Sequence, residues 1–341
     1  SFVSLDVILQ YITGFDLFGF KSMGGRNAGP FGNEIIAGGY LQRFFFFSIF
    51  SIFIIFDKKN LKNPFLIFMI TIHAVAILLA GNKMSLLLFL FGCGLTIMFI
   101  NKLRIAMTSG MLGFLIIIFF IVKYDATIKN TYINFYGNIN HFIGKRTELR
   151  LKDTPKRDME TIEYISPERS IEREAGLAVL RGSAHYYIYH NSILIWQERP
   201  LFGFGFKSFR IKCWENLNNY ILVSKKETIK LNKNTKKLLL ACSNHPHNYY
   251  LEVLTETGAV GLIIISMIAL LFIVFLFKNY KFLKQVSVAN FILLSAIISL
   301  ILETMPIRTS GSLFTTNNTT YLILIASIVL SYKKILQIKI E

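Results

Sequence analysis

Seven apolar segments, roughly 34–56, 65–81, 84–100, 105–123, 258–277, 286–303 and 319–332, run through the sequence. Each is long enough, or nearly so, to cross a hydrocarbon core of about 30 Å. Charges fall between them. The short connections Asp57-Lys58-Lys59-Asn60-Leu61-Lys62, Asn101-Lys102-Leu103-Arg104 and Lys278-Asn279-Tyr280-Lys281-Phe282-Leu283-Lys284, with the tail from Lys333, carry Lys and Arg. An excess of Lys and Arg in short loops marks the cytoplasmic side, so residues 1–33, the Asn82-Lys83 turn, the long hydrophilic loop and 304–318 face outside. Composition agrees, since charged residues are 17% of the chain against about 25% in soluble domains. The expected fold is an all-α polytopic membrane protein with about seven transmembrane helices and one large, mostly helical loop on the outer side. Four stretches divide it: an outside connector at 1–33, four spans at 34–123, a loop subdomain at 124–257, and three spans with a cytoplasmic tail at 258–341.

The net charge of +17 invites a nucleic-acid reading, but much of it sits in the cytoplasmic turns, where it sets topology and attracts anionic lipid headgroups. The expected partners therefore include membrane lipids and exclude nucleic acid. Residues 1–33 show no charged region leading into an apolar core, so no signal peptide is read there, and the chain reads as the C-terminal part of something longer.

The loop at 124–257 has to fold outside the bilayer, because irregular backbone in lipid would leave peptide groups unsatisfied. Its parts differ. The stretch 145–175 is charge-mixed and solvated, whereas 183–198 has Tyr187, Ile188, Ser192, Ile195 and Trp196 at helical spacing. Arg199-Pro200-Leu201-Phe202-Gly203-Phe204-Gly205-Phe206 then ends that helix, its alternating glycines suiting a turn that needs positive φ or close backbone approach. Cys213 and Cys242 flank an Asn- and Lys-rich excursion at 216–240, where an oxidising compartment permits a disulfide; Cys93 lies inside an apolar span and reads as packing.

The loop ends in Ser243-Asn244-His245-Pro246-His247-Asn248, one short helix ahead of the glycine-marked entry at Gly258. Ser243 or Asn244 suits an N-cap and Pro246 the first helical turn, which puts His247 at a helix N-terminus. The positive end of a helix dipole disfavours imidazolium, and its free amides suit a phosphate. A neutral imidazole there fits a general base; the competing reading makes His245 and His247 interfacial polar residues. H-x-H is too short a pattern to establish a zinc site.

Cations mark the outer boundary: Arg26 in a glycine-rich segment, Arg43 about two turns into the first span, Lys83 in the tight turn and Arg308 after Pro306. An arginine inside a span is costly unless it faces a cavity or a partner; for Arg43 the competing reading is a pair with Glu34 or a snorkel to the surface. Convergent cations at the membrane face suit a lipid-linked diphosphate, whose oxygens Arg grips in a bidentate fork. No P-loop, G-x-S-x-G elbow, H-E-x-x-H or D-x-D pair occurs, which favours metal-independent transfer with no cofactor.

His247-Asn248, nine residues, then Gly258 and Gly261 form a pattern that resembles the O-antigen ligase family, membrane enzymes sharing a C-terminal region with some O-antigen polymerases. Residues 6–19, the Arg26 segment, Arg199-Pro200-Leu201-Phe202-Gly203-Phe204-Gly205 and the stretch around Arg308 also look like family segments. Two departures stand out. Relatives commonly carry arginine in the turn where this chain has Asn82-Lys83-Met84, and many carry one where this chain has His185, with Arg181 and Arg210 the nearest loop arginines. Relatives also have about a dozen spans, which implies further spans ahead of Ser1.

The resemblance implies a GT-C-like glycosyltransferase of the bacterial inner membrane, with its active site facing the periplasm. The reaction it implies moves a glycan from an undecaprenyl-diphosphate carrier to a sugar hydroxyl of lipid A-core by inverting transfer. His247 is then the catalytic base, and Arg26, Arg43, Lys83, His185, Arg210, His245, Asn248 and Arg308 form the substrate-binding set. The alternatives are an O-antigen polymerase using the same donor and a polysaccharide or lipid transporter.

Overall fold

A computed structural model describes residues 1–23, 25–55, 59–130, 132, 184–216, 242–278, 288–306, 308, 309 and 311–338. The 145–175 stretch, almost all of the 216–240 excursion and Arg181 lie outside the described residues. Secondary structure among them is helical apart from two isolated bridges, Phe15 with Lys21 and Met23 with Arg26. In chain order the α-helices are α1 (Phe2–Thr13), α2 (Ala37–Ile55), α3 (Lys59–Leu79), α4 (Lys83–Phe99), α5 (Asn101–Tyr124), α6 (Ala184–Glu198), α7 (Tyr249–Lys278), α8 (Val288–Glu303) and α9 (Thr316–Ile338).

Each of the seven apolar segments contains a helix, yet only four helices among the described residues are long and apolar enough to cross a membrane: Ala37–Ile55, Lys62–Leu79, Asn101–Tyr124 and Tyr249–Phe275. Lys83–Phe99 and Phe291–Glu303 are shorter apolar helices, and α9 opens on the polar run Thr316-Asn317-Asn318-Thr319-Thr320. Along α5 and α7, Leu112, Leu115, Phe119, Ile263, Met267 and Leu271 are exposed, as expected of side chains whose solvent is lipid. One helix is additional to that set. Residues 1–33, read as a connector, contain α1, a 12-residue apolar helix.

The described chain forms two compact units, Ser1–Lys129 with Ile263–Glu341, and Asn130–Leu262. In the first unit α3 packs on α1, α2 and α5, and α8 packs on α2 and α9, around Phe45, Phe46, Ile49, Phe50, Leu66, Ile70, Phe89 and Phe114. Small residues let these helices approach. A Cβ on Gly110 of α5 would come within 2.7 Å of the Ile70 side chain, and the Thr71 hydroxyl donates to the Gly110 carbonyl at 3.0 Å. A Cβ on Gly92 of α4 would likewise meet the Phe46 ring and Leu302.

Polar anchors fold the segment after α1 back onto it. The Gln10 amide donates to the Phe20 carbonyl at 3.0 Å and accepts from the Gly29 N–H at 2.8 Å, while Asp6 accepts from the Leu17 N–H at 2.8 Å. Asn27 then donates to the Leu79 carbonyl at 2.8 Å, fixing the Arg26 segment to the end of α3. Such buried polar side chains have to find partners, and here the partners are backbone groups of an otherwise irregular loop.

Candidate active site

In the second unit, α6 and the start of α7 are joined through a small core of Ile188, Tyr189, Ile195, Phe209 and Cys213, with Phe204, Cys242 and Leu251 against it. Four devices define the loop that carries the histidines. Cys242 at its start is disulfide-bonded to Cys213. The Tyr189 hydroxyl donates to the His247 carbonyl at 3.3 Å. Asn248 ends it as the helix cap, its side-chain oxygen accepting the N–H groups of Tyr250 at 3.0 Å and Leu251 at 3.2 Å. His247 itself has φ 57°, a left-handed conformation that few non-glycine residues adopt. Neither Ser243 nor Asn244 is the cap, and Pro246 lies outside the helix. The reason is the left-handed bend at His247, which interrupts helical geometry ahead of Asn248 and leaves the imidazole one residue before the cap.

Three imidazoles gather there. The His245 and His247 ring centroids are 4.2 Å apart, and those of His185 and His247 are 5.4 Å apart, edge to face. His185 comes from the first turn of α6, with Tyr189 one turn on at 6.2 Å between centroids. Burial, followed by the charge of His247, lowers the His185 pKa below its ordinary 6.5, while burial pushes the Tyr189 phenol up to about 12. The His185 ring is therefore favoured in its neutral form, and a neutral imidazole accepts a proton. Among the described residues no group of three or more His, Cys, Asp or Glu side chains is arranged to hold a metal ion.

The glycine pattern after the histidines has a structural cause. At Gly258, φ 67° and ψ −164° break α7, a combination open essentially to glycine alone. A kink frees backbone groups on both sides, and the turn that follows α6 takes them up. Ala259 and Val260 donate to the carbonyls of Pro200 at 2.8 Å and Leu201 at 3.2 Å. Phe204 and Gly205 donate to the carbonyls of Thr255 at 3.1 Å and Glu256 at 2.8 Å. A Cβ at Gly258 would strike the Leu201 carbonyl, and one at Gly203 would come within 2.7 Å of the Glu256 carbonyl oxygen. The two glycine-bearing stretches are thus halves of one backbone joint. The buried Glu256 carboxylate accepts from the N–H groups of Lys207 and Phe209, at the start of the helical stretch 209–216. Arg210 on that stretch is exposed and within electrostatic reach of Glu256.

The other candidates fall in the first unit, in two groups. Arg26 is exposed and lies over Gly81, where a Cβ would come within 2.8 Å of its Cγ. Lys83 is next to it, within its electrostatic reach, in the turn where Asn82 caps α4 through the Ser85 N–H at 3.1 Å. Arg43 and Arg308 meet on one carboxylate. The Arg43 partner is Glu303, 260 residues on, with Nε to Oε1 at 2.9 Å and a second bond to Oε2 at 3.0 Å; Arg308 reaches Oε1 at 2.6 Å. Sequence reasoning offered Glu34 to Arg43 and overlooked Glu303, although an acid at the end of an apolar segment was a signal in itself. Tyr189, one helical turn after His185, was a second signal.

The family model described as O-antigen ligase matches residues 64–266, more than half of the 341-residue chain. The chain belongs to the O-antigen ligase family. No curated protein matches it, and no solved structure does. The O-antigen ligase match takes in Lys83, His185, the whole Pro200–Gly258 joint and the His247 loop, and it leaves Arg26, Arg43, Glu303 and Arg308 beyond its ends. Family membership carries, in general terms, a membrane glycosyltransferase-like activity on lipid-linked glycan and lipid A-core substrates.

Proposed function

We propose that this member of the O-antigen ligase family is a ligase, transferring a glycan from an undecaprenyl-diphosphate carrier to a sugar hydroxyl of lipid A-core at the periplasmic face of the inner membrane. The observation that carries the reading is His247, held in a left-handed conformation between the Tyr189 hydroxyl on its carbonyl and the Asn248 cap, with two further imidazoles beside it. A fixed imidazole of this kind suits removal of the acceptor hydroxyl proton, which its neutral form accepts. The hydroxyl oxygen then attacks the anomeric carbon as the bond to the diphosphate oxygen breaks, which inverts configuration and releases undecaprenyl diphosphate. A positioned base contributes about 10² to 10⁴ in rate.

The diphosphate leaves with its charge, and fixed cations stabilise it. Arg26 and Lys83 are the pair supported best, since two like charges are brought side by side at the end of α3 and the start of α4. Arg43 and Arg308 form the second pair. His185, His245 and Asn248 belong with His247 as groups that bind the acceptor or shape its loop, and Arg210 is a further cation of the same unit.

The test is product analysis. Purified protein incubated with a defined undecaprenyl-diphosphate glycan and lipid A-core is expected to give glycosylated lipid A-core and free undecaprenyl diphosphate. Elongated carrier-linked glycan, with lipid A-core untouched, would make the protein a polymerase instead. Banding of lipopolysaccharide from a deletion strain gives the same division, bare core for a ligase and core with a single repeat for a polymerase.

A further inference from the structure

Glu303 ends α8 with a side chain that is 0% exposed, yet it touches charged groups from two other parts of the fold. Arg43 of α2 approaches as a fork, Nε on one carboxylate oxygen at 2.9 Å and a terminal nitrogen on the other at 3.0 Å. That same terminal nitrogen donates to Asn318 Oδ1 of α9 at 2.8 Å. Arg308 reaches the first oxygen at 2.6 Å, and the nitrogen that does so is also 3.4 Å from Gln42 Oε1 and from the Leu302 carbonyl. The Arg43 backbone is held too, its carbonyl accepting from the Tyr321 hydroxyl at 3.2 Å and from Ser299 at 3.4 Å, while its guanidinium carbon lies 5.1 Å from the Tyr321 ring centroid.

A carboxylate placed this way acts on position more than on charge. Two guanidiniums repel each other and each has several rotamers, so holding them side by side needs a shared acceptor with both oxygens engaged. Exposure is graded in the same sense: Glu303 is fully covered, the Arg308 side chain is 8% exposed, and that of Arg43 is 22% exposed. The cations therefore stand between the carboxylate and the surroundings.

We infer that Glu303 is a positioning residue which sets Arg43 and Arg308 side by side as an anion-binding pair for the diphosphate of the lipid-linked donor. The inference rests on the reading of this protein as a transferase of diphosphate-linked glycans. It assigns Glu303 an effect opposite in sign to its charge. Removing a negative charge beside an anion site strengthens anion binding by Coulomb attraction alone, whereas removing the group that aligns the fork weakens it.

The experiment measures the affinity of purified protein in detergent micelles for undecaprenyl diphosphate, and the KM and kcat of transfer, for wild type, Glu303→Gln, Glu303→Asp, Asn318→Ala and Arg43→Ala. Glu303→Gln is expected to weaken diphosphate binding about tenfold and to raise KM accordingly, the size of one lost charge-assisted bond. Glu303→Asp, which keeps the charge on a shorter stem, is expected to recover part of the affinity. Asn318→Ala, which loosens Arg43 from the other side without touching any charge, is expected to weaken binding by a smaller factor and serves should Glu303→Gln fail to fold. Affinity in Glu303→Gln equal to or tighter than wild type, with Arg43→Ala weakened, overturns the positioning role and leaves the transferase reading standing. Should Glu303→Gln not fold, unchanged affinity in Asn318→Ala overturns it in the same way. Unchanged affinity in both Glu303→Gln and Arg43→Ala overturns the diphosphate assignment of this pair, and absence of any binding by the wild type overturns the underlying reading.

Discussion

Gly258→Ala puts one methyl group into the joint that carries the family glycine pattern, and its cost follows from the geometry. The residue has φ 67° and ψ −164°, a region that costs a side-chain-bearing residue about 1–3 kcal/mol. The new Cβ would also strike the Leu201 carbonyl. Relief requires the Pro200–Leu201 strand of the turn to move away, which loosens the bonds from Ala259 at 2.8 Å and Val260 at 3.2 Å. Two such bonds add about 1 kcal/mol each, for a sum of roughly 3–5 kcal/mol, a large fraction of the stability of a small domain. Gly94→Ala is the control. A Cβ there meets nothing within 4 Å and the residue lies inside helix α4, where alanine is favoured over glycine by about 1 kcal/mol, so no destabilisation is expected. Thermal unfolding in detergent with limited proteolysis of the loop reads both. Gly258→Ala is expected to melt well below Gly94→Ala and to lose transfer activity; equal melting of Gly258→Ala and wild type would refute the joint as described.

Two further outcomes follow from the histidine loop. Asn248→Ala removes the cap that accepts two N–H groups and is expected to cost about 1–2 kcal/mol by thermal or chemical unfolding, whereas Asn248→Asp keeps an acceptor and places a negative charge at the helix start, so its stability is expected to match wild type. His185 has a pKa depressed below 6.5 in the folded protein, so the folded state binds fewer protons than the unfolded one just below that value. Its contribution to stability is complete above about pH 6.5 and is lost as pH falls through the folded value; His185→Gln is expected to flatten the melting temperature between pH 7 and pH 5, and an unchanged slope counts against burial of a neutral ring.

Local signals were readable in the sequence and long-range partners were not. Apolar spacing over 183–198 gave α6 to within a residue, since an amphipathic period is a local property, and Pro200 with Gly203 and Gly205 marked the turn. The helix start at Tyr249 was misplaced because a proline ahead of it imitates a first-turn signal, and nothing in the letters announces a left-handed His247. The helix at Phe2–Thr13 was missed since its 12 residues are too few for a span and residues 1–33 were read whole as a connector. Arg43 was singled out as a charge within an apolar stretch, but its bond to Glu303 depends on how α2 and α8 pack, which periodicity does not encode. That Gly258 and the Pro200–Gly205 turn hold one another was likewise invisible: each looked like a separate punctuation mark until the backbone bonds between them were seen.

Single-turnover transfer from a defined undecaprenyl-diphosphate glycan to lipid A-core measures whether His247 takes the acceptor proton, the claim on which the mechanism stands. With donor and acceptor saturating, His247→Ala is expected to lower the transfer rate by about 10² to 10⁴ while leaving diphosphate affinity near wild type. A His247→Ala protein that melts like wild type and transfers at the wild-type rate would contradict the claim.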